Sequence, residues 1–358
     1  MRKLSLLLII VVIFALFALP ASAEEVDGYI KDFENILPGE FSEIGSDAEK
    51  ITERLGIERI LSDIAGVIRG EGGIVFGFFL TLIGFVALMA LPLPSNDRIS
   101  SAVRASVGIS ASVVIFTSLS GIFEGISTSL EEISTFFASL IPIAVGVTAL
   151  GGGASTAAVQ ASGMYTTVSL IGWVAERLML PLVGLGFAMA LLSAFGNDSV
   201  LSLSKGIKGL FRWIIGILTA LIGGTISLQT MISTVQDSAA MRAARYMASG
   251  LIPLFGSTVS GALSTLASGV SYAKGVIGAG AIAVIISIVL APLVTLLAYR
   301  FALTAASIIA TSVGSGEAER IFSSFRFSLD TITALYALSS IIYILEIIIF
   351  AKAGVALI

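Results

Sequence analysis

The chain contains no histidine and no cysteine among its 358 residues. Without histidine there is no imidazole ligand for a metal and no side chain that titrates freely near neutral pH. Without cysteine there are no disulfides, thiolate nucleophiles or cluster ligands. Serine–histidine hydrolysis and histidine-ligated zinc chemistry are therefore excluded. Charge is also scarce: 12% of residues are Asp, Glu, Lys or Arg, against about a quarter in a soluble domain. No paired-carboxylate site stands out among so few ionisable groups. No Gly-Lys-Ser/Thr phosphate loop is present either, since Lys205 lies between Ser204 and Gly206. A Ser–Lys dyad stays open on composition alone, but nothing points to one. The expectation is a non-enzyme with no cofactor, no metal and no nucleic-acid partner.

What is there is apolar. Hydrophobic residues make up 56% of the chain, and mean hydropathy is +1.03. This reads as an all-α, polytopic helical bundle in a membrane. Arg2 and Lys3 precede an apolar run from Leu4 to Leu19, then Ala21-Ser22-Ala23 and Glu24. That is the layout of a cleavable signal peptide, residues 1–23. Residues 24–71 follow as an acidic extracytoplasmic segment, holding 13 of the 24 acidic residues. Within it, Ser46-Asp47-Ala48-Glu49 has capping-box spacing. Ile57, Ile60, Leu61, Ile64, Val67 and Ile68 recur at helical period, and Gly70 is placed to end that helix. The apolar face must meet the membrane surface, the spans or another protein.

Residues 72–358 form the membrane domain. Runs at 74–93, 105–123, 135–150, 211–231, 276–299 and 332–350 read as spans, each needing about 20 apolar residues. The run 161–195 splits at Glu176-Arg177 into a short pair, giving about eight. Residues 301–313 are apolar but short and read as a re-entrant or surface segment. Arg98, Arg104, Lys205, Lys208, Arg212, Arg300, Arg320 and Arg326 then fall inside, and Glu124, Glu131 and Glu132 outside, as the positive-inside rule asks. Arg242, Arg245, Lys274 and Lys352 fall on the other side, so topology between Asp237 and Gly275 stays open.

Two candidate faces emerge. Pro253 and Gly256 precede a helix on which Ser257, Gly261, Thr265 and Gly269 recur every four residues. Such a row suits close helix packing or the lining of a wet cavity. Lys205, Lys208 and Arg212 share one helix face beside Ile207 and Phe211, as either a docking face for a cytoplasmic partner or anionic membrane lipid, or a topology signal. Glu346 is a carboxylate within the last apolar run, either snorkelling or paired.

Leu251-Ile252-Pro253-Leu254-Phe255-Gly256, the small-residue helix and Lys274-Gly275-Val276-Ile277-Gly278 together resemble the stage III sporulation protein AE family. Lys205 to Trp213, the span ending in Ser227-Leu228-Gln229, and the signal followed by an acidic segment agree in order. The resemblance covers most of the chain after residue 70. It implies a membrane component of the multiprotein transport or secretion channel that links mother cell and forespore. The protein would then sit in the outer forespore membrane, with a secretion-type ATPase and ring-forming proteins as partners. Two alternatives are a stand-alone secondary transporter of a small solute and a purely structural anchor.

Overall fold

The computed structural model describes residues 23–39, 48–91, 97–151, 153–174, 180–194 and 256–352, with isolated positions between 177 and 227. The described elements are all α-helices: α1 Ala23–Ile36, α2 Ala48–Arg54, α3 Ile57–Ala90 and α4 Asp97–Leu150, then α5 Ala154–Val174, α6 Leu180–Ala194, α7 Gly256–Ser312 and α8 Gly316–Lys352. Among the described residues, four helices are long and apolar enough to cross a membrane: α3, most of α4, α7 from Ala267 onward, and α8. The protein is a polytopic integral membrane helical bundle.

Helix continuity departs from the hydropathy reading. α4 runs unbroken for 54 residues through Glu124, Glu131 and Glu132, where the runs 105–123 and 135–150 were separated by an outer loop. α7 runs for 57 residues through Arg300, so residues 301–313 are its last turns rather than a re-entrant segment. Both differences have one cause. A charged residue interrupts an apolar run, but Glu and Arg are good helix formers and do not interrupt the backbone. Gly70 does not end its helix either. α3 instead starts after Gly56, whose backbone is extended (ψ 138°), and continues to Ala90. Gly314 does terminate a helix: its φ is +81°. The Ser315 N–H then donates to the Ala310 carbonyl at 2.8 Å, the six-to-one bond of a glycine-terminated helix end. The chain turns there from α7 into antiparallel α8.

Packing centres on α7 and α8, with α4 along the pair and α3 beside α7. Ile126, Leu130, Ile133 and Phe137 of α4 join Ile277, Val284 and Ile285 of α7 and Leu335, Tyr336 and Tyr343 of α8 in one core. α1 is a short amphipathic helix that the sequence reading left unassigned. Val26, Ile30, Phe33 and Leu37 are buried, while Glu24, Glu25, Asp27, Lys31 and Asp32 are exposed. Each buried apolar side chain contributes about 1.5–3 kcal/mol where it leaves water. Glycines make this docking possible. A methyl at Gly280 would lie 2.9 Å from the Phe33 ring, and one at Gly146 would overlap Tyr29. Glu176, where the run 161–195 splits, lies outside the described residues, between α5 and α6. Residues 1–22, with most of the signal-peptide reading, lie outside the described residues.

Candidate functional site

A mid-helix proline in α7 sets the first part of the polar interior. Pro292 has no N–H, so the Ile288 carbonyl four residues earlier loses its helical donor. Ser129 of α4 supplies the replacement, its hydroxyl lying 3.3 Å from that carbonyl. The Tyr336 hydroxyl of α8 is 2.7 Å from the same serine oxygen. With the serine proton directed to Ile288, Tyr336 is the donor to Ser129. One turn further along, Ser134 and Tyr343 meet at 2.8 Å. Tyr336 and Tyr343 are two turns apart on one face of α8, so these bonds fix the register of α8 against α4.

Beyond Tyr343 the buried groups carry charge. Glu346 is 1% exposed and accepts a bond from the Thr167 hydroxyl of α5 at 2.8 Å. Lys274 of α7 is also 1% exposed, with Nζ 6.0 Å above the Phe350 ring, at the outer range of a cation–π contact. Phe350 lies one turn past Glu346, so the ammonium and the carboxylate belong to the same buried end of the bundle. Gln160, two turns before Thr167 on α5, accepts from the Thr148 hydroxyl of α4 at 2.9 Å. Its Nε2 is buried with no hydrogen-bond acceptor among the described residues. Four helices thus converge on one polar cluster. Glu346 is paired rather than snorkelling. Chemically the cluster offers buried charge and fixed helix register, and no nucleophile is set against a base within it.

The small-residue row falls in the first turns of α7, which begins at Gly256 and carries Ser257, Gly261, Thr265 and Gly269. At Gly269 an added methyl would meet nothing within 4 Å, so that position is not a point of close approach. Close approaches occur instead at Gly278, against Ala351, and at Gly280. Pro253, Lys205, Lys208 and Arg212 lie outside the described residues. Sequence reasoning placed Lys274 on the outer side of the membrane against the positive-inside rule and left open either a wrong span count or a segment sitting in protein; the structure buries the side chain. A lysine followed directly by the apolar run 276–299, with a lone glutamate in the last run, was the available signal.

An all-α bundle with long apolar helices and a buried polar cluster defines a polytopic helical membrane protein. The family model of the stage III sporulation protein AE matches residues 60–354, and the chain belongs to that family. The stage III sporulation protein AE of Bacillus subtilis (strain 168) is 23% identical over 286 residues, covering 79% of this chain and 71% of that protein. No solved structure matches.

Proposed function

We propose that this protein is the polytopic membrane component of a multiprotein transport or secretion channel linking mother cell and forespore during endospore formation. On this reading it resides in the outer forespore membrane and works with a secretion-type ATPase and ring-forming proteins. It contributes no catalysis of its own. The observation that carries the reading is membership of a sporulation family in a chain whose described residues include four helices long and apolar enough to cross a membrane. Deletion of the gene in a sporulating host tests the role: sporulation arrested after engulfment supports it, and unimpaired sporulation overturns it. Co-purification of a tagged copy from sporulating cells tests the assembly, with recovery of the ATPase and ring proteins as the expected result. The buried Glu346–Thr167 pair beside Lys274 gives some support to a solute transporter. Recovery of the protein alone with a bound solute would favour that reading.

A further inference from the structure

The apolar stretches of α3 and α8 sit at different heights along the bundle, and one flat bilayer is too thin to cover both. α7 serves as the ruler. α3 runs beside it in the same chain direction: Arg54, just before α3, bonds to Ser287 at 3.3 Å, and Phe78 packs on Tyr299 at 5.0 Å between ring centroids. α8 runs antiparallel, with Arg300 paired to Asp330 and Gly278 against Ala351. The stretch of α3 from residue 74 to 91 is therefore level with α7 from about residue 295 to about 312, at equal rise per residue. The stretch of α8 from 332 to 350 is level with α7 from about residue 298 back to about 280. End to end the two cover about 50 Å at 1.5 Å per residue, whereas a hydrocarbon core is about 30 Å thick.

Surface character decides between them. At the level of α3, large apolar side chains face outward: Ile74, Phe76, Leu80 and Leu88 on α3, Ile308 and Val313 on α7. The charges at that height lie on α8, α7 and α4: Arg320 and Arg326 are partly exposed, while Arg300 pairs with Asp330 and Arg104 with Glu317, both pairs reaching the surface. At the level of the α8 stretch, exposed apolar side chains (Ile57, Leu61 and Ile68 on α3, Ile341 and Leu345 on α8) are interleaved with exposed charge. The exposed face of α4 carries Glu124, Ser127, Thr128, Glu131, Glu132 and Thr135. α1 lies there too, docked at Gly146 and Gly280, with its acidic face outward. Placing lipid at that height would set the carboxylates of Glu124, Glu131 and Glu132, which form no ion pair among the described residues, against hydrocarbon, an expensive arrangement. Placing lipid at the α3 level puts the large apolar side chains of α3 outside and leaves the surface charges Arg300–Asp330 and Arg104–Glu317 as ion pairs toward its two edges.

We infer that the bilayer encloses only the half of the bundle bounded by residues 72–91 of α3 and the Gly314 turn. The other half is a water-exposed helical domain. It comprises α1, α2, the second half of α4, and the apolar runs of α7 and α8 that hydropathy assigns to the membrane. It stands out about 40 Å, the rise of α7 from Ala267 to about residue 295, on the side that carries the N-terminal helices. The runs 135–150, 276–290 and 332–350 are apolar because they form this domain's core. The Lys274–Glu346 cluster lies in it, outside the bilayer.

The absence of cysteine makes the test direct. Single variants Asp27→Cys, Thr128→Cys and Thr135→Cys, with Leu80→Cys and Leu88→Cys as the lipid-facing set, are made in the full chain. A charged, membrane-impermeant maleimide is applied to membranes opened by sonication, so that both faces are reachable. The first three are expected to label to completion and the last two to stay unlabelled unless denatured. Protection of Thr135→Cys to the same degree as Leu80→Cys overturns the inference. Electron microscopy of the protein in lipid nanodiscs separates an external domain from a wet pore face within the bilayer. A helical density projecting from one face of the disc supports the inference, and a particle flush with the disc overturns it.

Discussion

The Ser129 hydroxyl reaches across from α4 to the carbonyl that Pro292 leaves without a helical donor, at 3.3 Å from Ile288 O. Each residue alone would be a defect: a proline within a long helix and a serine within an apolar core. Together they satisfy one another and tie α4 to α7.

Replacement of Ser129 by Ala removes that donor and leaves the Tyr336 hydroxyl without its acceptor. The expected loss is about 1–3 kcal/mol, read as a lower midpoint of thermal unfolding in detergent. Pro292→Ala restores the backbone N–H to Ile288. Ser129→Ala should therefore cost less in a Pro292→Ala background than in the wild type. Equal costs in the two backgrounds would show that the carbonyl is not what Ser129 serves.

Thr167→Val keeps the shape of the side chain and removes the donor to Glu346. A bond to a charged group contributes about 1.5–3 kcal/mol, so a clear drop in the unfolding midpoint is expected. Thr167→Ser should stay near the wild-type value. If Ser behaves like Val, the methyl group rather than the hydroxyl is what the site needs.

At Gly280 any added side chain meets the Phe33 ring, at 2.9 Å for a first carbon. Gly280→Val should expel α1, and limited proteolysis should then cut within residues 23–37 at protease levels the wild type resists. Gly269→Ala meets nothing and replaces a poor helix former by the best one, so it should be neutral or stabilising by up to about 1 kcal/mol. A large destabilisation at Gly269 would instead show that the small-residue row packs against a partner.

How far the sequence foretells the fold depends on which physical signal a residue carries. Apolar content announces a helical membrane protein, and the order of common residues around Pro253 and Lys274 points to the family. Helix extent was less legible. Glu124, Glu131, Glu132 and Arg300 break hydropathy windows while favouring helix, so window edges were taken for chain reversals. The register bonds were hidden for another reason. Ser129, Tyr336 and Thr167 are unremarkable until α4, α5 and α8 are brought side by side, because their meaning lies in partners 179 and 207 residues away. Phe33 and Ile30 did repeat at helical spacing, but the acidic composition around them drew attention to charge instead of to the apolar stripe.

The turn at Gly314 and the buried end at Lys274 belong to a single continuous helix of 57 residues, about 85 Å from end to end at 1.5 Å per residue. Such a rod acts as a lever. From Lys274 to Ser312 it rises about 57 Å, so a tilt of about 5° moves the far end of that stretch by about 5 Å, roughly one helical turn. Whatever engages the chain near Gly314 is thereby mechanically linked to the Lys274–Glu346 end without any intervening joint of flexible backbone. The proline at 292, braced by Ser129, is the place where that stiffness is set.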